Sequence, residues 1–184
     1  MNAQLIILQG GEDVKKRTNE SLFKNVTNLS ATKKILVIPW TSDSVEKEME
    51  YRTIFSNYFT DSGFSETKFM ESEDTKTEIY EKLSSVDVVY LPGGDPEVLY
   101  RELKSRLLQD SLRNFMGILI GNSAGAIVLS KGAQHEGRFY PGFGLVDFFI
   151  TVHFKLEEES HSGSKQNSTI NIPEDMWVTI SGKS

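Results

Sequence analysis

The sequence predicts an α/β fold, a doubly wound and mainly parallel sheet with helices on both faces. Three observations predict it. Short aliphatic runs without polar alternation recur along the chain, as strands buried on both faces require. Between them, apolar residues repeat every three or four positions, the period of a helix with one buried face. Glycine-rich turns follow several of the runs, where a sheet of this kind forms its sites.

The elements follow in order. Leu5-Ile6-Ile7-Leu8 is the first strand and ends at Gly10-Gly11. Leu22, Val26 and Leu29 mark a helix face. Ile35-Leu36-Val37-Ile38 is the second strand, stopped by Pro39. Asp43 and Glu46 have capping-box spacing, and Ile54, Phe55, Tyr58 and Phe59 share a helical face closed by Gly63. Lys68-Phe69-Met70 reads as a short strand, Ile79 with Leu83 as a short helix, and Val86 to Leu91 as a strong strand. Asp95-Pro96-Glu97 starts a helix, with Asp as N-cap, Pro at the first position and an acid in the first turn. Leu99, Leu103 and Leu107 continue it. Ile118-Leu119-Ile120 is another buried strand, followed by Gly121 to Gly125 and a helix over Ala126 to Leu129. Beyond that, Phe148-Phe149-Ile150, Thr169 to Ile172 and Trp177 to Ile180 read as strands, and Glu157 to Ser168 as an exposed loop. No repeat or linker divides the chain, so residues 1–184 read as one domain.

Composition narrows the function. The 184 residues carry 20 Lys and Arg against 26 Asp and Glu, a net charge of −6, which disfavours nucleic acid and anionic membranes as partners. The absence of cysteine excludes a disulfide framework, a thiolate zinc site and a cysteine nucleophile. His135, His153 and His161 are too few for a histidine-rich metal site. Leu5 to Leu8 is too short for a signal peptide's apolar region or a bilayer span, so the expected location is cytoplasmic, as a monomer or small homo-oligomer.

Two turns at predicted strand ends carry the chemistry. Gly121-Asn122-Ser123-Ala124-Gly125 is a G-x-S-x-G between strand and helix, the nucleophile-elbow pattern. A serine at such a turn takes a strained backbone, and side chains two residues before and after it would collide. The pattern arises by chance in about one chain in twenty of this length; its position between an aliphatic run and a helix gives it weight. A plainer reading is a packing turn whose serine caps the helix. Ala124 N–H can donate to an oxyanion, and Gly93 or Gly94 of Leu91-Pro92-Gly93-Gly94-Asp95 can supply a second N–H. That diglycine is also compatible with an ordinary α/β loop. With no Walker lysine and no G-x-G-x-x-G, nucleotide binding is weak. His153, at the end of an apolar strand, is the candidate base; alone it would read as a core histidine. His135 and His161, in polar stretches, read as solvated. Acids are too plentiful for spacing to choose the group that orients the base, and Glu174 also suits a simple turn.

These residues also resemble a known family. Leu91-Pro92-Gly93-Gly94, Gly121 to Ala126, Gly142-Phe143-Gly144-Leu145-Val146, Val152-His153-Phe154 and Ile172 to Trp177 are similar, in order and spacing, to the aspartyl dipeptidase (dipeptidase E) and cyanophycinase family of serine peptidases. The resemblance covers nearly the whole chain. It implies a fold like that of class I glutamine amidotransferases, with serine replacing their cysteine, and cleavage next to aspartate without a metal or organic cofactor. It implies Ser123 as nucleophile, His153 as base, Glu174 as the acid, and Gly94 and Ala124 as oxyanion donors. Gly93 and Asp95 fall on the expected substrate-binding surface.

The chain departs from the family pattern in Asp95, usually Asn, and in Val152, usually Pro. The family's substrate-binding arginine downstream of the histidine is missing, since no Arg follows Arg138; Lys155 and Lys165 are the remaining cations, and Lys lacks the arginine fork. The leading expectation is a serine exopeptidase acting on short peptides with loosened aspartyl preference. An esterase or amidase using the same serine is the alternative enzyme. A flavodoxin-like module holding an anion at helix N-termini is the non-enzymatic one.

Overall fold

The computed structural model describes residues 4–135, 137–155 and 168–181. The first half alternates strand and helix: β1 (Leu5–Gln9), α1 (Glu20–Leu29), β2 (Lys34–Val37), α2 (Val45–Asp61), β3 (Glu66–Phe69), α3 (Lys76–Ser84), β4 (Val88–Leu91), α4 (Pro96–Ser105), α5 (Leu108–Arg113), β5 (Ile118–Asn122) and α6 (Ala124–Leu129). Four strands follow with little helix between: β6 (Gly132–His135), β7 (Arg138–Pro141), β8 (Phe149–Phe154) and β9 (Thr169–Pro173), and then β10 (Trp177–Ser181).

The main sheet has six strands in the order β10-β1-β5-β4-β2-β3. All are parallel except β10, which returns antiparallel along β1. Each central strand sends alternate residues into two cores, as a sheet covered on both sides must. Ile7, Ile35, Val37, Val88, Tyr90, Ile118 and Ile120 face α1 and α2 through Phe23, Phe55, Tyr58 and Phe59. Leu8, Leu36, Ile38, Val89, Leu91 and Leu119 face the other way, onto residues of α3 to α6. This is the predicted doubly wound arrangement.

Four details differ from expectation. Ser44, not Asp43, caps α2; its hydroxyl accepts from Lys47 N–H and donates to Glu46. Leu107 does not continue α4. It takes φ 57° between α4 and α5 and is 70% exposed. Leu29 ends α1 exposed rather than buried. Finally, β6, β7, β8 and β9 form a second sheet, ordered β7-β6-β8-β9, which the sequence reading did not separate from the first. The second sheet shares a core with the first, since Ala133, Ile150 and Ile172 cluster with Leu8 and Leu119. The expected loop over Glu157 to Ser168, Ser168 excepted, lies outside the described residues, as do His161, Lys165 and the side chain of His135.

Candidate active site

Ser123 stands between β5 and α6 with φ 46° and ψ −100°, a conformation that costs a non-glycine residue about 1–3 kcal/mol. The flanking glycines make it possible. A Cβ on Gly121 would lie 2.5 Å from the Gly125 carbonyl carbon, and one on Gly125 would lie 2.1 Å from the Leu91 carbonyl oxygen. Ser123 N–H donates to Gln9 O at 3.1 Å and Gly125 N–H to Pro92 O at 3.2 Å. Ala124 N–H opens α6, where no earlier turn can accept it, and among the described residues no acceptor engages it. Downstream, the Gly142 to Val146 segment closes the far end of α6: Phe143, Gly144 and Leu145 N–H donate to Val128, Ser130 and Leu129 carbonyls.

The Ser123 hydroxyl lies 2.7 Å from His153 Nε2. His153 Nδ1 lies 2.5 Å from Glu174 Oε1. The strand β8 would ordinarily bury alternate residues, but its register with β9 shifts between Thr151 and Phe154. His153 takes φ 54° there and turns its ring outward, about half exposed. Glu174 follows β9 at the turn into β10, beside Asp175 at φ 58°. So three residues 30 and 21 positions apart meet in one hydrogen-bonded chain. Asp147 is exposed and paired with Lys131.

What seats this chain is the end of β1, whose part the sequence reading missed. Three successive carbonyls there accept from three separate segments: Gln9 O from Ser123 N–H, Gly10 O from His153 N–H at 2.7 Å, and Gly11 O from Asp175 N–H at 2.9 Å. Gly11 also lies directly against the pair it helps to seat. A Cβ there would be 2.3 Å from Glu174 Oε2 and 2.5 Å from His153 Nδ1. The diglycine after a buried strand was the available signal, but nothing local shows which distant segments approach it.

Ser123 and His153 open into a cavity of about 900 Å³ whose wall includes Thr41, Gly93, Gly94 and Asp95. Gly94 has φ 139°, and a Cβ there would lie 2.7 Å from the Thr41 carbonyl oxygen, so this turn requires glycine. Asp95 caps α4 as expected, accepting from Glu97 and Val98 N–H. Arg138 is held by Glu97 at 2.5 Å, and Lys155 is exposed. Among the described residues, no group of three or more His, Asp or Glu is arranged to hold a metal ion. No helix among them is long and apolar enough to cross a membrane.

The pattern of Peptidase family S51 matches residues 5–184. The chain belongs to peptidase family S51. The resemblance to dipeptidase E is thereby borne out, and membership identifies the chain as a peptidase at family level. Two solved structures share its fold. A peptidase from an acI-B1 Actinobacterium has a TM-score of 0.71 at 21% identity, over 98% of this chain and 84% of that one. A protein from Listeria monocytogenes EGD-e classed as a peptidase E has a TM-score of 0.73 at 20% identity, over 99% of this chain and 96% of that one. At such identities the likeness is one of fold. No curated protein matches the chain.

Proposed function

We propose that this S51 member is a serine peptidase of short peptides, acting as one domain over residues 1–184, with Ser123 as nucleophile, His153 as general base and Glu174 as the group that orients the base and stabilises its charged form. The observation that carries this is the hydrogen-bonded chain from Ser123 through His153 to Glu174, at 2.7 and 2.5 Å, begun by a serine in a strained elbow. A helix-capping serine needs neither the strain nor the imidazole. In the reaction, Ser123 Oγ attacks the scissile carbonyl while His153 Nε2 takes its proton, and the imidazolium then gives that proton to the leaving amine. Glu174 accepts from Nδ1–H and stabilises the charged ring. A water repeats the cycle on the acyl-enzyme and restores the serine. Ala124 and Gly94 N–H are the proposed oxyanion donors, the first supported by its lack of another acceptor among the described residues.

A serine-directed phosphonate should label the wild-type protein and fail to label Ser123→Ala. Peptide turnover should fall most in Ser123→Ala and His153→Ala, by about 10⁴-fold or more, and less in Glu174→Ala, because nucleophile and base can still meet without the acid. Labelling that survives Ser123→Ala would falsify the assignment.

A further inference from the structure

Among the described residues, the Glu174 carboxylate has one hydrogen-bond partner, His153, and the Glu174 side chain is 53% exposed. No second side-chain contact aims it, so its direction follows from the backbone of the turn that carries it. That turn is closed by Met176 N–H donating to Pro173 O at 3.3 Å, with Asp175 in it at φ 58°. Two backbone bonds join it to the end of β1. Asp175 N–H donates to Gly11 O, and Gly10 N–H donates to Met176 O at 3.0 Å.

One side chain adds a further tie. The Thr18 hydroxyl donates to Asp175 Oδ1 and accepts from Asp13 N–H at 3.2 Å. A hydroxyl has a single proton, so this one is committed to the carboxylate. The loop before α1 fixes Thr18 in turn. Thr18 N–H donates to Asp13 O at 3.4 Å, and Asp13 Oδ1 accepts from Lys15 and Lys16 N–H, both at 3.1 Å. Asp13 and Lys15 line the cavity beside Ser123. The hydroxyl therefore links the cavity wall to the residue that follows Glu174.

We infer that Thr18 is a positioning residue: by anchoring Asp175 it holds the turn in the geometry that presents Glu174 to His153 Nδ1. This deepens, and rests on, the serine peptidase reading. Thr18 and Asp175 are both exposed, so their bond adds little to the stability of the fold. Its effect is on direction. A carboxylate with one partner, on a long exposed side chain, keeps its aim only while its backbone stays still. The backbone ties survive any change of side chain, whereas the Thr18 tie is lost with one hydroxyl.

The test reads the His153 tautomer and the turnover together. Glu174 accepting from Nδ1–H favours the neutral ring whose Nε2 is free to accept from Ser123. Long-range proton–nitrogen NMR at about pH 9, where imidazole rings are neutral, reports that tautomer. The chain has three histidines, and His153→Ala identifies the signal. Wild type and Thr18→Ser should show mainly the Nδ1–H form, and Thr18→Val a shift toward Nε2–H. For a dipeptide that the wild type cleaves, kcat should fall about 5- to 20-fold in Thr18→Val with KM within about twofold, and Thr18→Ser should restore it. An unchanged tautomer, an unchanged kcat, an effect on KM alone, or failure of Thr18→Ser to rescue would each overturn the inference. Should Thr18→Val not fold, Asp175→Ala cuts the same bond from its other end and is read in the same way. Should the wild type cleave no peptide and resist the phosphonate, the peptidase reading fails, and the tautomer alone decides whether Thr18 positions Glu174.

Discussion

Gly11 leaves no room for a methyl group, since a Cβ there would fall within 2.6 Å of the His153 ring and of Glu174. The atoms it would strike belong to side chains, not backbone, so they yield while the fold holds. Gly11→Ala is therefore expected to fold with little change in Tm and, if His153 and Glu174 act as proposed, to lose about 100-fold in kcat/KM, the cost of displacing such groups by about an ångström. Activity within twofold of wild type would show that this contact does not seat the pair. The residues of the site were unequally legible. Ser123 could be read from its glycines and the strand before it, and His153 from its place at a strand end. Glu174 could be singled out only through family likeness, because any of many acids suited the spacing. The part of Gly10 and Gly11 was hidden, because the segments that approach them lie more than 100 residues away.

Elements with strong periodicity or an uninterrupted aliphatic run were readable, and boundaries set by side-chain hydrogen bonds were not. Ser44 displaced Asp43 as the cap of α2 because its hydroxyl could reach both Lys47 N–H and Glu46. Of the eight residues in strands β6 and β7, five are Gly132, Gln134, His135, Arg138 and Pro141, so no apolar alternation announces them. A similar long-range device joins α1 to β2. Asp87, just before β4, accepts from Ser30 and Thr32 hydroxyls and from Ala31 and Thr32 N–H, at 2.6 to 3.1 Å. Burial pushes its carboxyl up, but the hydrogen bonds outweigh this and hold it below the usual Asp range. A lowered carboxyl stabilises the fold fully above its unfolded value, about 3.9, and that contribution is lost as pH falls through the folded value. Asp87→Asn should cost about 1–3 kcal/mol at pH 7, where a donor would face donors. Urea unfolding at pH 7 and pH 3 should show the gap between variant and wild type narrowing in acid; a gap that widens would contradict the sign.

At the scale of the molecule, one core serves both sheets, with Leu8 and Leu119 of the first packed in a cluster with Ala133, Ile150 and Ile172 of the second. A shared core predicts a single cooperative transition, with fluorescence and circular dichroism coincident in urea; two separated transitions would divide the chain in two. The charge of the whole cavity bears on selectivity. Its wall carries six acids against Lys15 and Lys47, Arg138 is engaged by Glu97, and no arginine follows it in the sequence. Neutral and basic X-Leu dipeptides should therefore compete with Asp-Leu in kcat/KM, and Asp95→Asn should shift the ranking toward Asp-Leu. Cleavage of Asp-Leu alone would refute this. The three carbonyls of Gln9, Gly10 and Gly11 have one more consequence. A machinist who references three parts to one datum accepts that the datum drifts, because the drift is common to all three and cancels between them. The serine, the histidine and the turn bearing the glutamate are referenced to one tripeptide in this way, so thermal excursions of the β1 tip carry them together and leave their spacing intact.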